Sequence, residues 1–235
     1  MTHAVQNMEK RATSLMSLNS QMGLNNMENG FTLWFTGMSG AGKSTVSYMV
    51  YMELKRRNLE VELLDGDIIR TNFSKGLGFS KQDRDINVRR IGFISYLLNK
   101  NNIISVVAAI APYKETRYQN SQLLGNYMEV FCDCPLQILE QRDPKGLYAQ
   151  ARTGRIPNFT GISDPYEVPD SPKIVLKTGE ESEKESFNKV ISFLEKNEFV
   201  PVRSHTEWNN YSDEEERKLR KHLVNLGFAT KDLAR

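Results

Sequence analysis

Cysteine is scarce: the 235 residues contain two, Cys132 and Cys134, both in the stretch FCDCP. This stretch offers no second pair and no nearby histidine cluster to complete a zinc site, so the two read as small residues at a strand end, in a chain suited to a reducing compartment. An excess of charge is also missing. The 31 Lys and Arg nearly cancel the 29 Asp and Glu, leaving a net charge of +2. Neither nucleic acid nor a membrane is therefore expected as partner, and any anion site must come from local placement. Long apolar runs are absent too. The longest, IISVVAAIA from Ile103 to Ala111, falls well short of the roughly 18 residues of a membrane span and reads as a buried strand. The first thirty residues hold five of the nine methionines among many Asn, Gln and Ser, without the continuous apolar core of a secretory signal. They are expected to form a flexible leader, residues 1–29. The location expected is cytoplasmic, or plastid if the leader is a transit peptide.

What the sequence does have is a regular alternation of strand and helix patterns. FTLWFTG, Phe31 to Gly37, reads as a short buried strand ending in glycine, and from Lys43 a helix carries Val46, Met49, Val50 and Leu54 on one face. VELLD is a second strand ending at Asp65, followed by a helix around Asp83 to Asn99 with Val88, Ile91, Ile94 and Leu98 at helical spacing. Then come a strand from Ile103 to Ala109, a helix from about Lys114, a strand from Met128 to Asp133 and a short helix from Pro135. A strand from Lys173 to Lys177 precedes a helix with Phe187, Val190, Ile191 and Leu194 at i, i+3, i+4 and i+7. Strands alternating with helices predict an α/β fold with a parallel sheet covered on both faces. Residues 142–170 break the pattern, being rich in Gly, Pro, Arg, Lys, Asn and Asp with no clear apolar period, and such a stretch inside a domain reads as a functional lid. The main domain is expected to span 30–201. In the extension, 202–235, a helix is predicted from the capping box Ser212 and Glu215, with Leu219, Leu223 and Leu226 on one side. The i, i+4 pairs Asp213–Arg217, Glu214–Lys218 and Glu216–Arg220 support that helix, which should pack on the domain or on a partner.

Gly37, Gly42, Lys43 and Ser44, within FTGMSGAGKST, fit G-x-x-x-x-G-K-[ST] between a predicted strand and a predicted helix, the context this phosphate-binding loop needs. The fold class sharpens to a P-loop NTPase-type sheet with a lid. Gly37, Met38, Ser39, Gly40, Ala41, Gly42, Lys43, Ser44 and Thr45 become the candidate ATP-binding residues. Glycines let backbone N–H groups turn toward the phosphates, Lys43 offsets β/γ-phosphate charge, and the Ser44 hydroxyl can bind Mg2+. The spacing does not obey G-x-G-x-x-G, which disfavours a dinucleotide. No guanine-reading or switch motif is found. Instead the second strand ends in DGDIIR: Asp65 can reach the metal shell, Asp67, pointing the same way two residues later, can face an acceptor hydroxyl, and Arg70 could grip an acceptor anion.

From DGDIIR through GLGFSKQDRDINVRR, and again in FCDCPLQILEQRDPKGLYAQARTGRIPNFTGISDPYE, the chain resembles the adenylyl-sulfate (APS) kinases over roughly Gly30 to Glu195. The resemblance implies transfer of the ATP γ-phosphate to the ribose 3′-hydroxyl of adenylyl sulfate, with Mg2+, to give 3′-phosphoadenylyl sulfate. It implies that Asp67 and Arg70 hold the ribose and the phosphosulfate side, and that Phe79 and Phe159 stack on the acceptor adenine from opposite faces. Arg84 and Asn87, i and i+3 on one predicted helix, and Ile110, Lys145 and Asn158 match further acceptor-contacting positions. Lys43, Asp67 and Arg142 are the candidate catalytic residues, with Arg142 and Lys145 expected to swing over the phosphates. One position departs: Ala111 stands in APYKETR where members carry a serine, sometimes labelled as phosphorylated. Alanine cannot carry phosphate, so the expected route is direct in-line transfer, which needs positioning and charge neutralisation rather than a protein nucleophile. A homodimer is implied as well. Two other readings stay open: a related kinase for another nucleotide's hydroxyl, and a silent P-loop partner docked to an ATP sulfurylase.

Overall fold

A strand covered on both faces is buried throughout, and TLWFT is: all five residues of β1 (Thr32–Thr36) are buried. The computed structural model describes residues 30–202 together with 214, 217, 218, 221, 222 and 224. In it β1 pairs in parallel with β3 (Ile104–Ala108) on one side and β4 (Tyr127–Cys132) on the other. The edges are β2 (Val61–Asp65) and the three-residue β5 (Ile174–Leu176), giving the order β2-β3-β1-β4-β5. Alternate residues of β1 feed opposite cores. Leu33 and Phe35 pack with Val46 and Val50 of α1 (Lys43–Arg56) and with Val190, Ile191 and Leu194 of a helix near the end of the domain. Trp34, on the other face, packs with Val88 and Ile91 of α3 (Lys81–Lys100). Each fully buried Leu or Phe contributes roughly 1.5–3 kcal/mol, so this division commits both sheet faces.

The remaining helices are α2 (Gly66–Asn72), α4 (Lys114–Leu124), α5 (Leu136–Arg142), α6 (Leu147–Arg152) and α7 (Glu183–Lys196). All five predicted strands are present within a residue or so of their expected ends. Two helices were not predicted. In α2 the Asp65 side chain accepts from the backbone N–H groups of Asp67 and Ile68, so DGDIIR is a capped helix start, and the expectation that Asp67 follows Asp65 in strand geometry is corrected. The lid, expected to be irregular, contains α6 behind the left-handed Gly146. The predicted start of α3 at Asp83 moves to Lys81 because Ser80 accepts from the Asp83 N–H as N-cap.

In the extension, the Glu214–Lys218 ion pair is present at 2.9 Å, and the His222 ring stacks on Tyr48 of α1 at 4.3 Å. The Ser212–Glu215 capping box, the other two charge pairs and the three leucines lie outside the described residues. No helix among the described residues is long and apolar enough to cross a membrane.

The end of α7 supplies a stability prediction. Glu198, exposed, sits just past the C-cap at φ +60, a left-handed position that costs a non-glycine residue roughly 1–2 kcal/mol. Glu198→Gly should stabilise the protein by about 1 kcal/mol and raise Tm by about 2–4 °C in thermal melts. An unchanged or lower Tm would contradict this.

Candidate active site

The loop after β1 is shaped by what can fit there. A Cβ on Gly37, at φ +146, would lie 2.6 Å from the Cys132 carbonyl oxygen, and Gly42, at φ +82, caps α1 in the left-handed region. The loop therefore crosses the sheet's carboxyl edge close to β4 and delivers Lys43 and Ser44 at the first turn of α1. Lys43 is buried, and its Nζ donates to the Met38 carbonyl at 2.7 Å. Burial pulls its pKa down, while Cys132, Asp67 and Asp65 push it up. Ser44 Oγ donates to Asp65 Oδ2 at 3.0 Å, leaving Oδ1 to cap α2. Burial pushes the Cys132 thiol up to about 12, far from a reactive thiolate at neutral pH.

Two cavities meet at this loop. The first, about 440 Å3, runs from Lys43 and Ser44 past Asp67 to Phe79 and Phe159. The second, about 410 Å3, runs the other way, past Thr45 to Arg142 and Thr178. Gly40, Lys43 and Ser44 line both. Arg70, Arg84, Asn87, Ile110, Ala111 and Lys145 all line the first, so the structure gathers residues that lie scattered over nearly eighty positions of sequence. Arg142, expected with Lys145 over the phosphates, lines the second cavity together with Gly42, Lys43 and Ser44. Its Nη2 donates to the Thr178 carbonyl at 2.8 Å, whereas Lys145 Nζ pairs with Asp67 Oδ2 at 2.8 Å.

One aromatic wall is braced by cations that line the same cavity. The Arg70 and Arg84 guanidinium carbons lie 4.9 and 5.5 Å from the Phe79 ring centroid, which keeps an exposed phenylalanine in place by cation–π attraction. Burial pulls both arginine pKa values down. Arg84 also bolts the two walls together: its Nε donates to the Phe79 carbonyl at 3.0 Å and its Nη2 to the Asn158 carbonyl at 2.6 Å. Asn158 thus supplies its backbone, at φ +54. Asn87 Oδ1 is buried and has no hydrogen-bond partner among the described residues, an acceptor that a ligand N–H would satisfy.

Tyr148 was not foreseen. Its ring meets Phe159 edge-on at 5.1 Å and its hydroxyl donates to the Ser39 carbonyl at 2.8 Å, tying the lid to the phosphate loop. Only its place in GLY, directly after the lid's charged DPK, hinted at it.

A parallel sheet with a phosphate loop at its centre, a capped pair of acids at the next strand and a lid folded over two joined cavities defines a P-loop phosphotransferase. The chain belongs to the adenylylsulphate kinase family, whose pattern it matches over residues 29–177. It is 52% identical over 165 residues to the adenylyl-sulfate kinase of a Picosynechococcus species, covering 70% of this chain and 93% of that one. It is 51% identical over 175 residues to a probable bifunctional SAT/APS kinase 2 of Sorangium cellulosum, of which it spans 30% of the length. Among solved structures, the Mycobacterium tuberculosis APS kinase CysC in complex with AMPPNP and APS superposes with a TM-score of 0.69 at 42% identity, covering 71% of this chain and 98% of that one.

Proposed function

We propose that the chain phosphorylates the ribose 3′-hydroxyl of adenylyl sulfate with ATP, releasing ADP and 3′-phosphoadenylyl sulfate. The observation that carries this reading is the junction of two cavities at Gly40, Lys43 and Ser44: a triphosphate in one presents its terminal phosphate to a hydroxyl held in the other. ATP occupies the cavity bounded by Thr45, Arg142 and Thr178, and the acceptor occupies the one bounded by the two phenylalanines. Phe79 and Phe159 stack the adenine, Asn87 accepts from it, and Arg70 and Arg84 face the phosphosulfate with fixed positive charge.

Asp67 orients the 3′-hydroxyl and takes its proton, with Lys145 shifting from the Asp67 carboxylate to the transferring phosphate. No protein nucleophile is involved, since Ala111 has none to offer. Ser44 Oγ and Asp65 Oδ2, 3.0 Å apart, are hard oxygen donors of the kind Mg2+ takes. When bound, that ion would neutralise charge on the phosphoryl oxygens. The kinase unit runs from 30 to 201, and His222 beyond it stacks on Tyr48 of α1. Two copies form the working unit, and a sulfurylase supplies the acceptor.

ADP release by the purified full-length protein with Mg-ATP should depend on adenylyl sulfate, with the 3′-phosphorylated product confirmed by mass. Stimulation by AMP or a cytidine nucleotide alone would reassign the acceptor, and silence with all of them would favour a binding role. Phe159→Ala should raise the KM for adenylyl sulfate by about 5- to 150-fold, corresponding to the roughly 1–3 kcal/mol of one stacking contact, while the KM for ATP stays near its original value. An unmoved acceptor KM would remove Phe159 from the adenine clamp.

A further inference from the structure

The wall of the acceptor cavity formed by Ile110 and Ala111 is strained and then held from outside. Ala111 sits at φ +44, a left-handed conformation that an alanine keeps only when its surroundings impose it. Its carbonyl accepts from Arg117 Nη1 at 2.7 Å, and the same guanidinium donates through Nη2 to the Glu167 carbonyl at 2.7 Å and pairs through Nε with Glu129 at 2.9 Å. The backbone N–H of Glu167 donates to the Pro112 carbonyl at 2.8 Å, and its carboxylate accepts from the Lys114 N–H at 2.7 Å. One residue earlier, the Tyr166 hydroxyl meets Thr36 Oγ1 at 2.9 Å, and Thr36 Oγ1 donates to the Ile110 carbonyl at 2.6 Å. The single Thr36 proton is thereby used, so Tyr166 is the donor in their shared bond. Thr36 is the last residue before Gly37 of the phosphate loop.

We propose that Arg117 and Tyr166, neither of which lines the acceptor cavity, are positioning residues that staple the return end of the lid to the back of the Ile110–Ala111 wall and, through Thr36, fix that wall relative to the phosphate loop. Arg117 supplies the fork that a strained turn needs, because one planar guanidinium reaches two carbonyls and a carboxylate at once, which an ammonium does not. Tyr166 supplies the link to the loop: its ring stacks on Phe131 at 6.0 Å, so the hydroxyl's direction is set by packing. Four segments far apart in sequence, at 36, 110–117, 129 and 166–167, meet at one threonine hydroxyl and one guanidinium. A shift of the wall moves the acceptor hydroxyl relative to the terminal phosphate, and in-line transfer is steeply sensitive to such shifts. This inference rests on the acceptor reading proposed above.

Tyr166→Phe removes one hydroxyl and keeps the ring, so it should fold. Its kcat/KM for adenylyl sulfate should fall by about tenfold, with the KM for ATP within twofold and Tm little changed. Arg117→Lys should lose more, again on the acceptor side. Hydrogen exchange of the full chain supplies a readout independent of turnover: in Tyr166→Phe, amides at 109–111 and at 164 and 166–168 should exchange faster while those of β5 and α7 do not. Silence of the unaltered protein with adenylyl sulfate would overturn the acceptor reading, leaving the staple to stand or fall by the exchange pattern. Unaltered kinetics together with unaltered exchange would overturn the staple, and so would a loss shared equally between ATP and acceptor with a lowered Tm, which marks a merely structural role.

Discussion

Alanine at position 43 is expected to abolish phosphoryl transfer, with kcat falling by about 10^3-fold or more, while the protein stays folded. Among the described residues Lys43 is the one cation that lines both cavities, and it lies in the buried first turn of α1. Charge that builds on the phosphoryl oxygens during transfer meets it in a water-poor setting, where a fixed ammonium is worth far more than in bulk. Its hydrogen bond to the Met38 carbonyl, at 2.7 Å, is a contact that a phosphate oxygen can replace with a stronger, charge-assisted one. The fold should tolerate the change because burial already opposes the ammonium, so its removal relieves a desolvation cost as it deletes a side chain. Lys43→Arg should fail as well, since a planar fork does not fit a slot shaped for a point charge. ADP release in the presence of adenylyl sulfate, beside a thermal melt, checks both halves. Near-normal turnover in Lys43→Ala would sink the assignment of the phosphate cradle.

The cradle was legible in the sequence because backbone geometry dictates residue type there. Gly37 tolerates no Cβ against the Cys132 carbonyl, and Gly42 caps a helix in the left-handed region, so glycine spacing alone reports the shape. The strands were legible for a related reason. Strands buried on both faces read as continuous apolar runs, and β1 and β3 are buried at every residue. Helix α2 was not, because seven residues with none buried carry no apolar period, and its start depends on a side-chain cap that looks like a turn. The lid helix α6 escaped for a different reason: six residues bury one i, i+3 pair, Tyr148 and Ala151, too short a pattern to show a period. Phe79 and the cluster Arg70, Arg84 and Asn158 are a different case. A half-exposed phenylalanine is ordinary by composition, and only the resemblance placed it. The structure then supplies the physics: two guanidiniums hold the ring, and one of them spans to the opposite wall. Partnerships that depend on three-dimensional return, such as Tyr148 with Ser39, have no signature along the chain.

Asp67→Asn should lower kcat by about 10^2- to 10^4-fold with little change in the KM for ATP. The substitution is isosteric and the side chain is 65% exposed, so packing is untouched. The backbone N–H at 67 still donates to Asp65 Oδ1, so α2 keeps its cap. On the acceptor reading proposed above, what is lost is basicity and charge where the 3′-hydroxyl would surrender its proton as phosphate arrives. A competing explanation is that the substitution merely deprives Lys145 of the carboxylate it now holds at 2.8 Å, so that a misplaced ammonium blocks the acceptor. The double variant separates the two. If Lys145 obstruction caused the loss, Asp67→Asn with Lys145→Ala would recover most of the rate of Lys145→Ala alone. If Asp67 handles the proton, the double variant stays at or below the rate of Asp67→Asn. Asp67→Glu adds a third constraint, since it keeps the charge but moves it by a methylene, and in-line transfer penalises displacements of about 1 Å by about 10^2-fold. A glutamate variant with the original kcat would show that charge near the acceptor suffices and that Asp67 does not position the hydroxyl.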